Sequence, residues 1–346
     1  MSGISSPVGA EMRRAEFPRV RLDLLANPHG PAESVIDAIS RVGSWTGDGR
    51  DLAELLRVRL GAQARVSSEW VILANGIDDL HAMIARWRGN EGPLVVFPPT
   101  DPLLDRWVSG FTSQTEQIDR LPGFGLPLAP SDTAPAIPRG ATAIVMSPND
   151  PTGTVLTVQE AVRLSRQSAL VVVDERHAAY SPRTIGPLVR EFDNIVLLQT
   201  FETFAALSAC PLAWAIAPPR IAREIAAQAR PSGVAMVSLV AGLAALDAGD
   251  EIRASVRRVM IEKGRLYRQL RKLSMISPPY PSWSNFLLAR IERGTADYFV
   301  PRLAERGIDV FTVAAPSLPN HLRISAVSAD ATNALKQALI DIAIDV

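Results

Sequence analysis

Four side chains of this sequence could move protons if the chain brings them together: Asp150, Asp174, His177 and Glu202. Imidazole is the side chain whose ordinary pKa lies near neutrality, so His177 reads as a proton carrier oriented by a neighbouring carboxylate. Asp174 and His177 also form an Asp-x-x-His spacing that could join Asp150 or Glu202 as mixed oxygen and nitrogen metal ligands. That spacing is common and unspecific, and no metal is expected. The competing reading is a pocket whose polar groups simply satisfy one another. His29 would approach from the N-terminal arm. His321, two residues before Arg323 on one strand, is read as a half-exposed strand residue, and His81 as a structural helix residue.

Elements of the right kind flank these residues. Apolar runs of strand length occur at Trp70–Ala74, Pro93–Phe97, Ala141–Met146, Leu170–Asp174, Ile195–Gln199 and Leu212–Ala217. Continuous Val/Ile/Leu runs suit strands buried on both faces, as in a mostly parallel sheet with helices outside. Asp150, Asp174, His177 and Glu202 end or follow such runs, which predicts one crevice at the strand ends. Pro31–Ile39 reads as a short helix, Asp51 and Glu54 as a cap opening another, and Thr157 with Glu160 as a capping box. A helical stretch from Ile221 to Leu273 breaks near Arg230–Gly233. Strand signals at Asn285–Ile291, Ile308–Val313 and His321–Val327 flank a helix near Tyr298–Arg306 and predict a small α+β domain. The expected division is 1–40 as an arm and part of the small domain, 41–250 as a large α/β domain, and 251–346 as the small domain. The Pro- and Gly-rich segment Leu121–Arg139 reads as a loop.

Hydrophobic residues make up 47% and charged residues 21%, which excludes a disordered chain. Lys plus Arg equals Asp plus Glu at 36 each, so no bulk field favours nucleic acid or an anionic membrane. The stretch Met1–Val20 lacks an apolar signal core, and no run is long enough to span a bilayer. The one cysteine, Cys210, lies in an apolar run and is read as a buried structural thiol. A cytoplasmic protein is expected.

Six landmarks in order carry a family resemblance: Asn27-Pro28-His29-Gly30, Asn75-Gly76-Ile77-Asp78-Asp79, Ser147 to Gly153 (SPNDPTG), Val173-Asp174-Glu175, Asn285-Phe286, and Leu322-Arg323-Ile324-Ser325. Together the chain resembles fold-type-I aminotransferases, nearest to histidinol-phosphate aminotransferase and threonine-phosphate decarboxylase. The resemblance implies an α/β fold with a mostly parallel central sheet flanked by helices and a small α+β domain. It also implies a homodimer. By the same resemblance Gly76 opens the turn that holds the phosphate of pyridoxal phosphate, Asp174 pairs with the pyridine nitrogen, and Arg323 grips a substrate carboxylate.

Other positions depart from the family pattern. Thr203 stands where the Schiff-base lysine is expected, and the only lysines are Lys263, Lys272 and Lys336. Asp101 replaces the aromatic that would stack on the ring, Asp150 the asparagine and His177 the tyrosine that would bond its hydroxyl. Glu202 replaces a phosphate-binding serine, Pro211 an arginine and His29 a tyrosine, while Trp45 stands near the place of a partner-subunit tyrosine. A carboxylate within a few ångströms of a phosphate is repulsive. The expectation is therefore a cofactor-independent enzyme doing acid–base chemistry (a lyase, hydrolase, cyclisation or condensation step) on a small carboxylate-bearing, amino-acid-like substrate in specialised metabolism. Asn27, His29, Gly76, Asp101, Thr203 and Arg323 would line the binding site. Two alternatives stand beside it: a non-catalytic ligand-binding protein, and a pyridoxal-phosphate aminotransferase or decarboxylase with non-covalent or unusual attachment, for example through Lys263.

Overall fold

Seven strands form the main sheet of the computed structural model, which describes residues 19–43, 49–89, 91–102, 104, 114–128, 136–231 and 233–344. Trp45 and part of the Leu121–Arg139 segment lie outside the described residues. In chain order the strands are β1 (Val20–Arg21), β2 (Val71–Ala74), β3 (Leu94–Val96), β4 (Thr115–Gln117), β5 (Thr142–Met146), β6 (Leu170–Asp174), β7 (Ile195–Thr200), β8 (Ala213–Ile216), β9 (Phe286–Arg290), β10 (Ile308–Asp309), β11 (Phe311–Thr312) and β12 (His321–Ser325). The helices are α1 (Glu33–Ser40), α2 (Arg50–Ala64), α3 (Ile77–Arg88), α4 (Val158–Gln167), α5 (Pro219–Ala226), α6 (Met236–Asp247), α7 (Gly249–Leu270), α8 (Ala296–Glu305) and α9 (Ala329–Ala343).

The main sheet runs β2-β8-β7-β6-β5-β3-β4, and only β8 pairs antiparallel with its neighbours. The C-terminal ends of β2, β3, β5, β6 and β7 therefore open along one edge. Strand parity sends alternate side chains to two cores. Val171 and Val173 join one, whereas Leu170 and Val172 join the other with Leu80, Met83 and Ile84 of α3. Asp174 continues the parity of Leu170 and Val172, which delivers it to the α3 side.

A second, antiparallel sheet of β11-β12-β9 packs with α7, α8 and α9 around Phe299, Leu266 and Leu335. The chain's beginning is woven in: β1 pairs with β10, and Leu22 lies in that core. The amide of Trp283 bonds the carbonyl of Gly153 at 2.8 Å, so the loop after β5 is fastened to the segment entering β9.

Several local expectations are met and some are corrected. Thr157 and Glu160 form the capping box at α4. Asp51 caps nothing: α2 starts one residue earlier, behind Gly49 at φ 67°, and Glu54 pairs with Arg57 instead. The long helical stretch is broken twice, between α5 and α6 and again at Ala248. Cys210 is half-buried rather than enclosed. Among the described residues, no helix is long and apolar enough to cross a membrane.

Gly153 tests how tightly the site loop is seated. Its φ is +70°, and an added Cβ would stand 2.3 Å from Ser282 Oγ and 2.9 Å from Ser282 Cα. Gly153→Ala is expected to lower stability by about 2 kcal/mol or more in urea denaturation. A loss below about 0.5 kcal/mol would mean that the Ser282 segment moves aside freely.

Candidate active site

Five loops from the sheet's C-terminal edge supply the candidate residues: Gly76 after β2, Asp101 after β3, Asp150 after β5, Asp174 to His177 at β6, and Glu202 and Thr203 after β7. Arg323 comes from β12 and meets them from the second sheet.

Asp174 is fully buried, and its Oδ2 is contacted by Arg176 Nη2 at 2.6 Å, Arg176 Nε at 2.9 Å and His81 Nε2 at 2.9 Å. The Arg176 amide also donates to Asp174 Oδ1 at 3.0 Å. Burial raises the carboxyl's pKa, but the Arg176 guanidinium and His81 outweigh it and hold the group well below the usual carboxylate range. An ionised carboxylate only accepts, so His81 carries its proton on Nε2. Arg176 Nη1 also reaches Asp101 Oδ2 at 3.4 Å, and Thr203 Oγ1 donates to the Arg176 carbonyl at 2.5 Å.

A second ion pair joins Arg323 Nη1 to Asp150 Oδ2, while Arg323 Nη2 donates to the Asp23 carbonyl at 2.6 Å. The guanidinium lies over Phe311, 4.1 Å from the ring centroid. Asp150 is buried deeply enough that desolvation exceeds the pull of Arg323, and its pKa is pushed up to about 6. A third contact lies at the start of α3. Glu202 Oε1 accepts from the Ile77 amide at 3.1 Å and from Thr200 Oγ1 at 3.0 Å. Gly76 has φ +89°, and a Cβ there would come within 2.9 Å of Glu202 Oε1, so only glycine admits this approach. Burial raises the Glu202 carboxyl, against the bonds from Thr200 and Ile77.

His177 is fully buried with neither ring nitrogen bonded among the described residues, and it packs edge-on to Phe286 at 5.9 Å. Burial, Arg176 and Arg323 push its pKa down to about 3 despite Asp174. The expectation that a carboxylate orients His177 is therefore corrected. Asp174 is committed to Arg176 and His81, and Asp150 to Arg323. His81, expected to be purely structural, holds the buried carboxylate.

The N-terminal residues do not join this cluster. Asn27 donates to the Phe204 carbonyl and Ser255 Oγ, and its Oδ1 accepts from the His29 amide. His29 lines a small recess with Ser255 and Arg258. His321, expected to be half-exposed, is instead buried, where it bonds the Pro319 carbonyl at 2.9 Å and stacks on Tyr280. A cavity of about 570 Å³ lies on the opposite face of the sheet, lined by Glu175, Gln199, Phe204, Trp214 and Arg253. Arg176 is the participant the sequence reading missed. Its signal was a cation two residues from Asp174, hidden as a spacer within Asp-x-x-His.

The same architecture recurs in proteins of known activity. The description "Aminotransferase class I and II" matches residues 52–341. The chain belongs to that family. It is 26% identical over 337 residues to histidinol-phosphate aminotransferase 1 of Arabidopsis thaliana, spanning 96% of this chain and 80% of that protein. It is 29% identical over 320 residues to histidinol-phosphate aminotransferase 1 of Carboxydothermus hydrogenoformans, spanning 88% of each. Its fold superposes with a TM-score of 0.81 on the histidinol-phosphate aminotransferase of Sinorhizobium meliloti, solved in complex with pyridoxal 5′-phosphate, at 21% identity over 99% of this chain and 95% of that one. The architecture is thus the α/β aminotransferase fold with a mostly parallel central sheet. These relatives overturn the expectation of a cofactor-independent acid–base enzyme, and with it a cleft from which pyridoxal phosphate is absent by design.

His177 gives a pH signature that checks the electrostatics. The unfolded imidazole takes its proton near 6.5, whereas the folded one resists it down to about 3. The unfolded state therefore binds more protons in that window, and stability falls as pH drops. From pH 7 to 5 this group alone should cost about 2 kcal/mol. Urea denaturation should show wild type losing about that much more than His177→Phe over the interval. Parallel losses would contradict a buried neutral imidazole.

Proposed function

We propose that the cleft takes a small carboxylate-bearing, amino-acid-like substrate and works by the aminotransferase or decarboxylase chemistry of its family, with pyridoxal phosphate held without a covalent lysine link. The observation that supports this is the convergence of Asp174, the Gly76 turn at the start of α3, and Arg323 on one edge of the sheet. By the family pattern these correspond to the groups that meet a pyridine nitrogen, a phosphate and a substrate carboxylate. The activity named for the relatives, transamination of histidinol phosphate, is the first to assay. A homodimer belongs to the same proposal.

Attachment is where this chain differs. Thr203 corresponds to the lysine position, and its hydroxyl is committed to the Arg176 carbonyl. Lys263 donates to the carbonyls of Ser282 and Ser284 at 2.6 and 2.7 Å, and burial pushes its pKa down to about 8. As the side chains stand, the residues do not accommodate the cofactor: Arg176 covers Asp174 and Glu202 takes the Ile77 amide. Binding requires both to give way. Thr203 and these filled positions also favour a second reading, a protein that binds an amino-acid-like ligand without turning it over.

Absorbance titration with pyridoxal phosphate, followed by borohydride and gel filtration, tests the first reading. Saturable binding that borohydride does not trap is expected, and Arg323→Ala should weaken the amino-acid substrate at least about tenfold, or 1.4 kcal/mol. A borohydride-stable adduct on Lys263 would overturn non-covalent attachment. Ligand uptake with no cofactor binding would select the second reading.

A further inference from the structure

Three positions of the cleft, two charged side chains and one helix-start amide, are already matched by the chain's own side chains. The Asp174 carboxylate, which would meet a cationic ring nitrogen, carries the guanidinium of Arg176 through two N–H donors at 2.6 and 2.9 Å. The Ile77 amide at the start of α3, which would meet a phosphate, carries the carboxylate of Glu202 at 3.1 Å. The Arg323 guanidinium, which would meet a substrate carboxylate, carries Asp150. Each occupant has the sign of the ligand group it replaces: a cation on Asp174, an anion on the helix start, an anion on Arg323. Resting on the family reading proposed above, we propose that Arg176, Glu202 and Asp150 are internal stand-ins that close this site, and that Glu202 and Arg176 set the threshold a phosphate-bearing ligand must exceed to enter.

Two independent features point to a ligand rather than to a site permanently sealed. His177 lies fully buried beside Asp174, Arg176 and Arg323, and neither of its ring nitrogens has a partner among the described residues. Asp150 Oδ1 and Arg323 Nε are likewise buried and unpartnered among them. Buried polar atoms left unmet are costly, and a site built only to satisfy itself would not leave several at its centre. The glycine at Gly76 keeps the helix start open to close approach, which a Cβ would prevent. The stand-ins also differ in how easily they leave. Glu202 is the less enclosed and is held by one backbone amide and one hydroxyl, whereas Arg176 is locked onto a fully buried carboxylate. Displacement therefore begins at Glu202, and the phosphate end of a ligand is the part whose entry it governs.

Pyridoxal 5′-phosphate is titrated into wild type, Glu202→Gln and Glu202→Gln/Arg176→Ala, following tryptophan fluorescence. Thermal unfolding is measured in parallel with inorganic phosphate. Glu202→Gln keeps the side chain's shape and removes its charge, so it is the variant expected to fold normally; the double variant is read only if it unfolds cooperatively. The expected result is at least a tenfold lower Kd for Glu202→Gln, with inorganic phosphate raising its Tm and leaving that of wild type unchanged. Equal Kd values for wild type and Glu202→Gln overturn the inference and leave the cofactor reading standing. If neither protein takes up the cofactor, that reading falls and the phosphate arm decides alone. A Tm rise confined to Glu202→Gln then upholds the stand-in, and the same response in both proteins, or none, overturns it.

Discussion

A carboxylate with no exposed surface at the end of β6 sets the terms for everything around it. Removing an ionised group from water costs several kcal/mol unless partners restore what the solvent supplied. Asp174 obtains those partners from two directions, Arg176 on its own turn and His81 from α3. The parity of β6 makes this possible, since it turns Asp174 toward the face on which α3 packs. The carboxylate, the helix and the turn after the strand are thus one electrostatic unit. Glu202 at the start of α3 and Thr203 on the Arg176 carbonyl extend it to β7.

Much of this frame was legible because it depends on local pattern. Continuous Val and Ile runs marked the buried strands, and residues ending those runs were placed at one edge because parallel strands share an open end. The Thr157 and Glu160 cap was readable for the same reason, being two residues within one turn that satisfy one another. The pairing inside the cleft was not. Whether His177 meets Asp174 depends on what else claims that carboxylate, and the claimants are Arg176, counted only as a spacer, and His81, 93 residues earlier in the chain on the helix that follows β2. Asp51 failed as a cap for a smaller reason: Gly49 in a left-handed conformation starts the helix one residue early.

Family membership and site chemistry carry different information here. The fold and its relatives place the chain among aminotransferases and remove the idea of a cofactor-free acid–base enzyme. They do not alter the charges in the cleft, where Arg176 sits on Asp174, Asp150 on Arg323 and Glu202 on the Ile77 amide. The two observations are compatible if the occupants yield, and the stability of the occupant pair decides how readily they do.

That pair is measured most directly by a double-mutant cycle on Asp174→Ala and Arg176→Ala, with unfolding free energies from urea denaturation. The account predicts a coupling of at least about 2 kcal/mol, because either single variant strands a buried charge that the double variant removes. Additivity within about 0.5 kcal/mol would mean that Arg176 does not sit on Asp174 in solution.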